Sequence, residues 1–315
     1  MSQLNSTQPQ ESSPTPDFAA ATQPSYARTL FLGPDGLRAG WSFAAYVISF
    51  YLLRRLSADI LGLYPLGQLR SVAIDELVAL FTAIIPALIL MRIERRPWSA
   101  YGLPLRHSFG KLFWIGAVWG FAGITLLLES LHIFHAFDFG PLSLHGFRIL
   151  KFAVFWAAVF LLVGLYEEFL LRGYAQFTLA RGIGFWPAAI LLSAEFGLLH
   201  VSNGGESWPG LLAAALIGFF FCFTLRRTGT LWFAVGFHAA WDWGQTFFYA
   251  VPDSGGIYPG HLLSSSLHGK LWLTGGSVGP EGSLLCFVVI ALLWLVFDRT
   301  YRVAKGPLAN TTPQN

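Results

Sequence analysis

Apolar residues run along this chain in blocks separated by short polar punctuation, not in the alternation of a half-buried strand. Eight blocks stand out: about Trp41 to Leu56, Val72 to Met91, Leu112 to Leu131, Ile149 to Tyr174, Phe185 to His200, Leu211 to Leu225, Leu231 to Ala250 and Ser283 to Phe297. Several approach the roughly 20 residues a helix needs to cross a bilayer. The first, fifth, sixth and eighth are shorter. The pattern predicts an all-α, polytopic membrane bundle of about eight transmembrane helices enclosing a polar cavity. Residues 1–38, rich in Ser, Thr, Pro and Gln, read as a disordered tail without the apolar core of a signal peptide. Residues 39–300 read as one membrane-embedded domain, and 301–315 as a short basic and polar tail.

Composition fixes the solvent in which every other argument is made. Hydrophobic residues make up 54% of the 315 and charged residues 12%, and the mean hydropathy is +0.55. A soluble domain of this length is far more polar. The net charge of +3 is spread between apolar blocks, which argues against nucleic acid as a partner and for the lipid bilayer. Lys and Arg collect in the loops after the second, fourth and sixth blocks and in the C-terminal tail. With eight alternating helices these fall on one side, so both termini are expected in the cytoplasm. A bacterial inner membrane is the expected location. Cys222 and Cys286 lie in apolar runs with no metal-like spacing and read as buried thiols.

Charge inside the apolar blocks is then the feature to explain. The fourth block ends Tyr166-Glu167-Glu168-Phe169-Leu170-Leu171-Arg172. On a helix Glu168 and Arg172 share a face and neutralise each other. Glu167 is turned about 100° away and lacks a local partner. The fifth block ends Phe196-Gly197-Leu198-Leu199-His200, and the seventh holds His238-Ala239-Ala240-Trp241-Asp242, each pair four apart. Two imidazoles and two carboxylates from three helices, facing inward together, could form a hydrolytic site in a bundle core. Either a zinc ion held by Glu167, His200, His238 and Asp242 activates water, or a desolvated Glu167 acts as the base with a histidine orienting the water. Glu195, His132 and His135 read as helix-end, gate or interfacial residues. Asp253-Ser254-Gly255-Gly256 is too short a match to secreted serine proteases to carry weight.

The three motifs, in this order on successive membrane helices, resemble the CPBP family of intramembrane proteases, which includes the type II CAAX prenyl endopeptidases and Abi-like relatives. The resemblance implies an endopeptidase acting on a membrane-anchored protein or peptide. It makes Glu167, His200 and His238 catalytic, with Glu168, Arg172, Phe196 and Asp242 in support, and leaves zinc open as a cofactor. Asp242 stands where the family commonly has Asn. An amide donates to an oxyanion, whereas an ionised carboxylate only accepts. The rival readings are a non-proteolytic scaffold or bacteriocin-immunity-like protein of the same fold, and a proton-coupled carrier.

One spacing conflicts with this picture. If the fourth helix ends near Tyr174 and the fifth begins near Phe185, His200 lies roughly 20 Å across the membrane from Glu167. A steep tilt, or a broken segment over 173–186 with Gly182, Gly184 and Pro187 as break points, is needed to bring them level.

Overall fold

The computed structural model describes residues 26–33, 36–64 and 67–302. Of the expected N-terminal tail, the described part holds helix α1 (Tyr26–Phe31) and a two-residue antiparallel pair, β1 (Leu32–Gly33) with β2 (Gly36–Leu37). The rest of that tail, and residues 303–315 of the C-terminal one, lie outside the described residues.

All eight apolar blocks are helical. They fall in α2 (Ala39–Leu61), α3 (Gln68–Ile93), α4 (Lys111–Ile133), α5 (Phe147–Glu168), α7 (Phe185–Leu199), α8 (Trp208–Thr228), α9 (Trp232–Trp243) and α11 (Leu284–Thr300), and two further helices, α6 (Gln176–Ile183) and the short α10 (Leu271–Thr274), lie between blocks. β3 (Phe137–Asp138) pairs with β4 (Ser266–Leu267) and ties the long loop after α9 to the end of α4. The protein is an all-helical integral membrane protein. Five helical stretches are long and apolar enough to span a bilayer: Gln68–Ile93, Lys111–Ile133, Phe147–Ile183, Phe185–Ser202 and Trp208–Thr228. The count of about eight is therefore not established. Arg54, Arg55 and Asp59 interrupt α2, and α9 and α11, at 12 and 17 residues, are short for a crossing.

The spacing conflict disappears because the fourth helix does not stop at Tyr174. A π-helical turn over Phe169–Ala175, with Gly173 off the helical region at φ −84°, ψ −115°, passes directly into α6. The helical stretch runs for 37 residues, kinks at Gly173 and ends at Gly184, one of the expected break points, where φ is +86°. Glu167 stands sixteen residues before the end of this rod and His200 fifteen after the start of α7. Both are roughly 22–24 Å from the Gly184 turn, at the same depth.

Close backbone approach sets the centre of the bundle. A Cβ on Gly116, Gly120 or Gly236 would overlap a backbone carbonyl across the α4–α9 contact: Phe233 O, Phe237 O and Phe113 O respectively. Gly164 gives α5 the same access to α9, facing Val235 O. In lipid, where apolar side chains gain little by leaving the hydrocarbon, such contacts supply dispersion that bulkier residues would forfeit. They also press α9 between α4 and α5, with His238 on its inward side.

A second brace lies just beyond the span of α3. Glu94 accepts hydrogen bonds from Tyr101 Oη at 2.8 Å and Tyr174 Oη at 2.9 Å, and pairs with Arg181 Nη2 at 3.0 Å. Burial alone would raise the Glu94 carboxyl, but the nearby Ser42 hydroxyl, then Tyr101, Arg181 and Tyr174, outweigh it and hold its pKa below the usual carboxylate value. The brace joins α3, the 98–101 turn, the π-helical segment and α6.

Two outcomes follow. Gly236→Leu is expected to cost the folded protein at least about 1–3 kcal/mol, seen as a lower melting temperature and yield in detergent; Gly40→Ala, where nothing lies within 4 Å, is the silent control, and equal behaviour of the two would remove the argument. Glu94, with its folded pKa depressed, contributes stability that is fully present above the unfolded value near 4.5 and is lost as pH falls towards the lower folded value. The melting-temperature gap between wild type and Glu94→Gln should therefore be widest at neutral pH and close below about pH 4; a gap that does not narrow on acidification would contradict this account.

Candidate functional site

The site is assembled from the last turn of α5, the middle of α9 and the end of α7. Glu168 and Arg172, fully buried, pair across one turn at 3.2 Å between Oε1 and Nη1. The guanidinium also stacks on the ring of Phe196, 4.3 Å from Cζ to the centroid. Gly218 of α8 leaves room for its Nη2, since a Cβ there would overlap it. The same Glu168 Oε1 takes His238 Nδ1 at 3.1 Å. On the other side of the imidazole, Nε2 faces Glu167 Oε2 at 3.6 Å and Asp242 Oδ2 at 3.5 Å. Phe221 stacks on the ring at 5.9 Å between centroids. The partner that the sequence leaves open for Glu167 is thus His238.

His200 borders the same cavity but is in ion-pair contact with none of the carboxylates among the described residues. Its Nδ1 is 2.7 Å from Phe196 O. A carbonyl only accepts, so Nδ1 carries the hydrogen in this contact. Phe196 therefore serves both motifs, placing its ring on Arg172 and its carbonyl under His200. Glu195, on the far side of α7, is exposed.

These residues open on a cavity of about 450 Å³, large enough for several residues of an extended peptide. Glu167, His200, His238 and Asp242 line it, with apolar walls from Trp156, Phe160, Leu170 and Phe221. Sequence reasoning missed the other acids that reach it. Glu76 comes from α3, Glu206 from the loop before α8, and Asp253 and Glu281 from the long loop after α9. The Asp75-Glu76 pair carried the signal that marked Glu167-Glu168, two acids inside an apolar run. It was overlooked because no basic residue follows four positions on.

The loop acids are held in place. Thr246 Oγ1 donates to Asp253 Oδ2 at 3.0 Å, and Ser254 donates to Glu281 Oε2 from N at 3.0 Å and from Oγ at 3.1 Å. Burial pushes the Asp253 carboxyl well up, the charges of Asp242 and Glu281 push it further, and the Thr246 hydrogen bond opposes them. Tyr258, on the same loop, is pushed up to about 12 by burial and then by Asp253, Glu76 and Asp242.

The four residues named for zinc do not converge on one point. Among the described residues, the group whose ligand atoms lie within 4.8 Å of one another is Asp242, Asp253 and Glu281. This is an all-oxygen set, unlike the nitrogen-rich sets typical of zinc. Both nitrogens of His238 already face carboxylates.

Residues 149–244 match a family model described as Rce1-like, type II CAAX prenyl endopeptidase Rce1-like. This segment begins in the first turn of α5 and ends one residue past α9, so it contains every motif named above. The match supports the CPBP/CAAX protease family, as the motifs indicated, and with it a CAAX-type intramembrane protease at the family level. No curated protein matches the chain.

The network makes a specific demand on Arg172. Arg172→Met should leave Glu168 charged, buried and short of a partner, at a cost of about 3–5 kcal/mol, whereas Arg172→Met with Glu168→Leu should recover much of it. Melting temperatures of the single and double variants in detergent decide the point; a double variant no more stable than the single would show that the pair is not the source of the loss.

Proposed function

We propose that this protein is an intramembrane endopeptidase that hydrolyses a peptide bond of a membrane-associated or lipid-modified protein or peptide. The observation that carries this reading is Glu167 facing His238 Nε2 at 3.6 Å on the wall of the cavity, with Nδ1 of the same ring anchored by Glu168. A carboxylate within reach of a bound water takes its proton as a general base.

In this reading a water molecule between Glu167 and His200 attacks the scissile carbonyl. Glu167 takes its proton, and His200 Nε2 accepts the second O–H and holds the nucleophile in line. His238, fixed by Glu168, turns its Nε2–H from the carboxylates to the oxyanion as charge develops there. Asp242 orients His238 in place of the amide seen in the family. No step is routed through a metal. The catalytic unit spans residues 39–300, with all eight apolar helices in the membrane, both termini in the cytoplasm, and a bacterial inner membrane as the location.

The scaffold reading rests on the same buried network, because Glu168, Arg172 and His238 also fasten helices together. Comparing protein termini in host cells expressing wild type or Glu167→Gln at matched membrane abundance separates the two. A defined set of new termini that falls by about 100-fold or more in the variant is expected for a lost general base. Indistinguishable profiles, with a wild-type phenotype that the variant retains, would replace the hydrolase with the scaffold.

A further inference from the structure

Glu76 is the one acid of the cavity wall that comes from the N-terminal half of the chain, and the site described so far gives it no task. It lies within α3, a helix apolar enough to span the membrane. It lines the cavity with Glu167, and no hydrogen bond or ion pair holds it among the described residues. Its neighbour Asp75 takes the nearby cation: Arg54 bonds Asp75 through both terminal nitrogens, at 3.0 and 3.1 Å. The charges that act on Glu76 are those of Glu167 on α5, Asp75 on its own helix, Arg54 on α2 and His238 on α9. Asp242, Tyr166 and Tyr258 in turn feel Glu76. An ionisable group left unpaired inside a membrane bundle and turned to a cavity is retained for chemistry more often than for packing.

Peptide hydrolysis also leaves a task unfilled. The water yields its proton to Glu167, and the departing amine needs one. His238 is committed to Glu168 through one nitrogen and faces Glu167 and Asp242 with the other, and His200 Nδ1 is tied to the Phe196 carbonyl. In the same cavity lining as the base stands a second carboxyl group, which no hydrogen bond or ion pair holds among the described residues. Where two such groups share a low-dielectric site, one holds a proton while the other accepts one.

We propose that Glu76 is a second catalytic carboxyl group, the acid that protonates the leaving amine while Glu167 acts as the base. The inference rests on the hydrolase reading above. In the first step the water oxygen bonds to the carbonyl carbon, its proton passes to Glu167, and the C=O π pair becomes the oxyanion lone pair. In the second the oxyanion pair re-forms C=O, the C–N bond breaks with its electrons on nitrogen, and Glu76 delivers its proton there. The products are a carboxylic acid and an amine. Glu167 is left protonated and Glu76 ionised, and transfer of one proton from Glu167 to Glu76 across the cavity resets the site.

The test uses the full chain in liposomes and an internally quenched peptide ending in a farnesylated CAAX sequence, the substrate class of the matched family. Initial rates are measured from about pH 5 to pH 10 for wild type, Glu76→Gln, Glu76→Asp and Glu167→Gln. Glu76→Gln is expected to lower kcat by about 100-fold or more with KM unchanged, and to abolish the alkaline limb of the kcat profile. Glu76→Asp restores both in part. A merely structural role would lower the amount of folded enzyme and leave the shape of the profile alone. The proposal is overturned while the hydrolase reading stands if Glu167→Gln is inactive but Glu76→Gln keeps the wild-type kcat or keeps the alkaline limb. If wild type cleaves no faster than Glu167→Gln, the hydrolase reading falls and this inference falls with it.

Discussion

Everything in this molecule depends on how a buried carboxylate is neutralised where there is no water to do it. Glu168 is fully buried, and a single oxygen of it receives both Arg172 from its own helix and His238 from α9. Such a network is a weak source of net stability, since desolvating the charges costs about as much as their attraction returns. Its effect is on geometry. Any arrangement of α5 and α9 that separates the three groups leaves a charge in hydrocarbon, at several kcal/mol, so the arrangement that unites them is selected. His238 Nε2 then points to the cavity because Nδ1 has no freedom to do so.

The apolar packing serves the same end. A shared oxygen at 3.1–3.2 Å requires α5 and α9 to approach closely, which Gly164 allows, while Gly116, Gly120 and Gly236 seat α4 on the other side of α9. The π-helical turn over Phe169–Ala175 widens the helix just past Glu168 and delivers Arg172 onto the Phe196 ring. Insertions of this kind are found where an α-helix must re-aim a functional side chain. The rod then resumes as α6, which puts Glu167 at mid-depth and level with His200.

The motifs themselves were legible in the sequence because each is local. Glu168 with Arg172, Phe196 with His200 and His238 with Asp242 are four-residue spacings, and helix periodicity alone assigns them to common faces. What crosses between elements was not legible. That one carboxylate oxygen serves both Arg172 and His238 depends on a helix crossing set by glycines far apart in the chain. The depth of Glu167 depended on whether the helix survives Gly173, and a glycine in a π-helical turn gives the same sequence signal as a break. Asp253 and Glu281 were hidden because a Gly- and Ser-rich loop has no periodicity to place it.

Three of the four acids that complete the cavity come from outside the family-matched segment: Glu76 precedes it, and Asp253 and Glu281 follow it, while Glu206 lies within it. Within residues 149–244 the network sets Arg172 and His238 against Glu167, Glu168 and Asp242. The flanking elements add carboxylates, while Arg54, the cation they bring to the wall, is already paired with Asp75. Acids outnumber cations in the lining, which gives the field there a negative sign, and at the loop end burial, with the charges of neighbouring acids second, displaces Asp253 and Tyr258 upward. A low-dielectric wall of one sign focuses that field on whatever enters. The position where the family commonly carries an amide and this chain carries Asp242 lies within that field, so its effect on the reaction is set jointly with Asp253 and Glu281 and cannot be read from the motif alone.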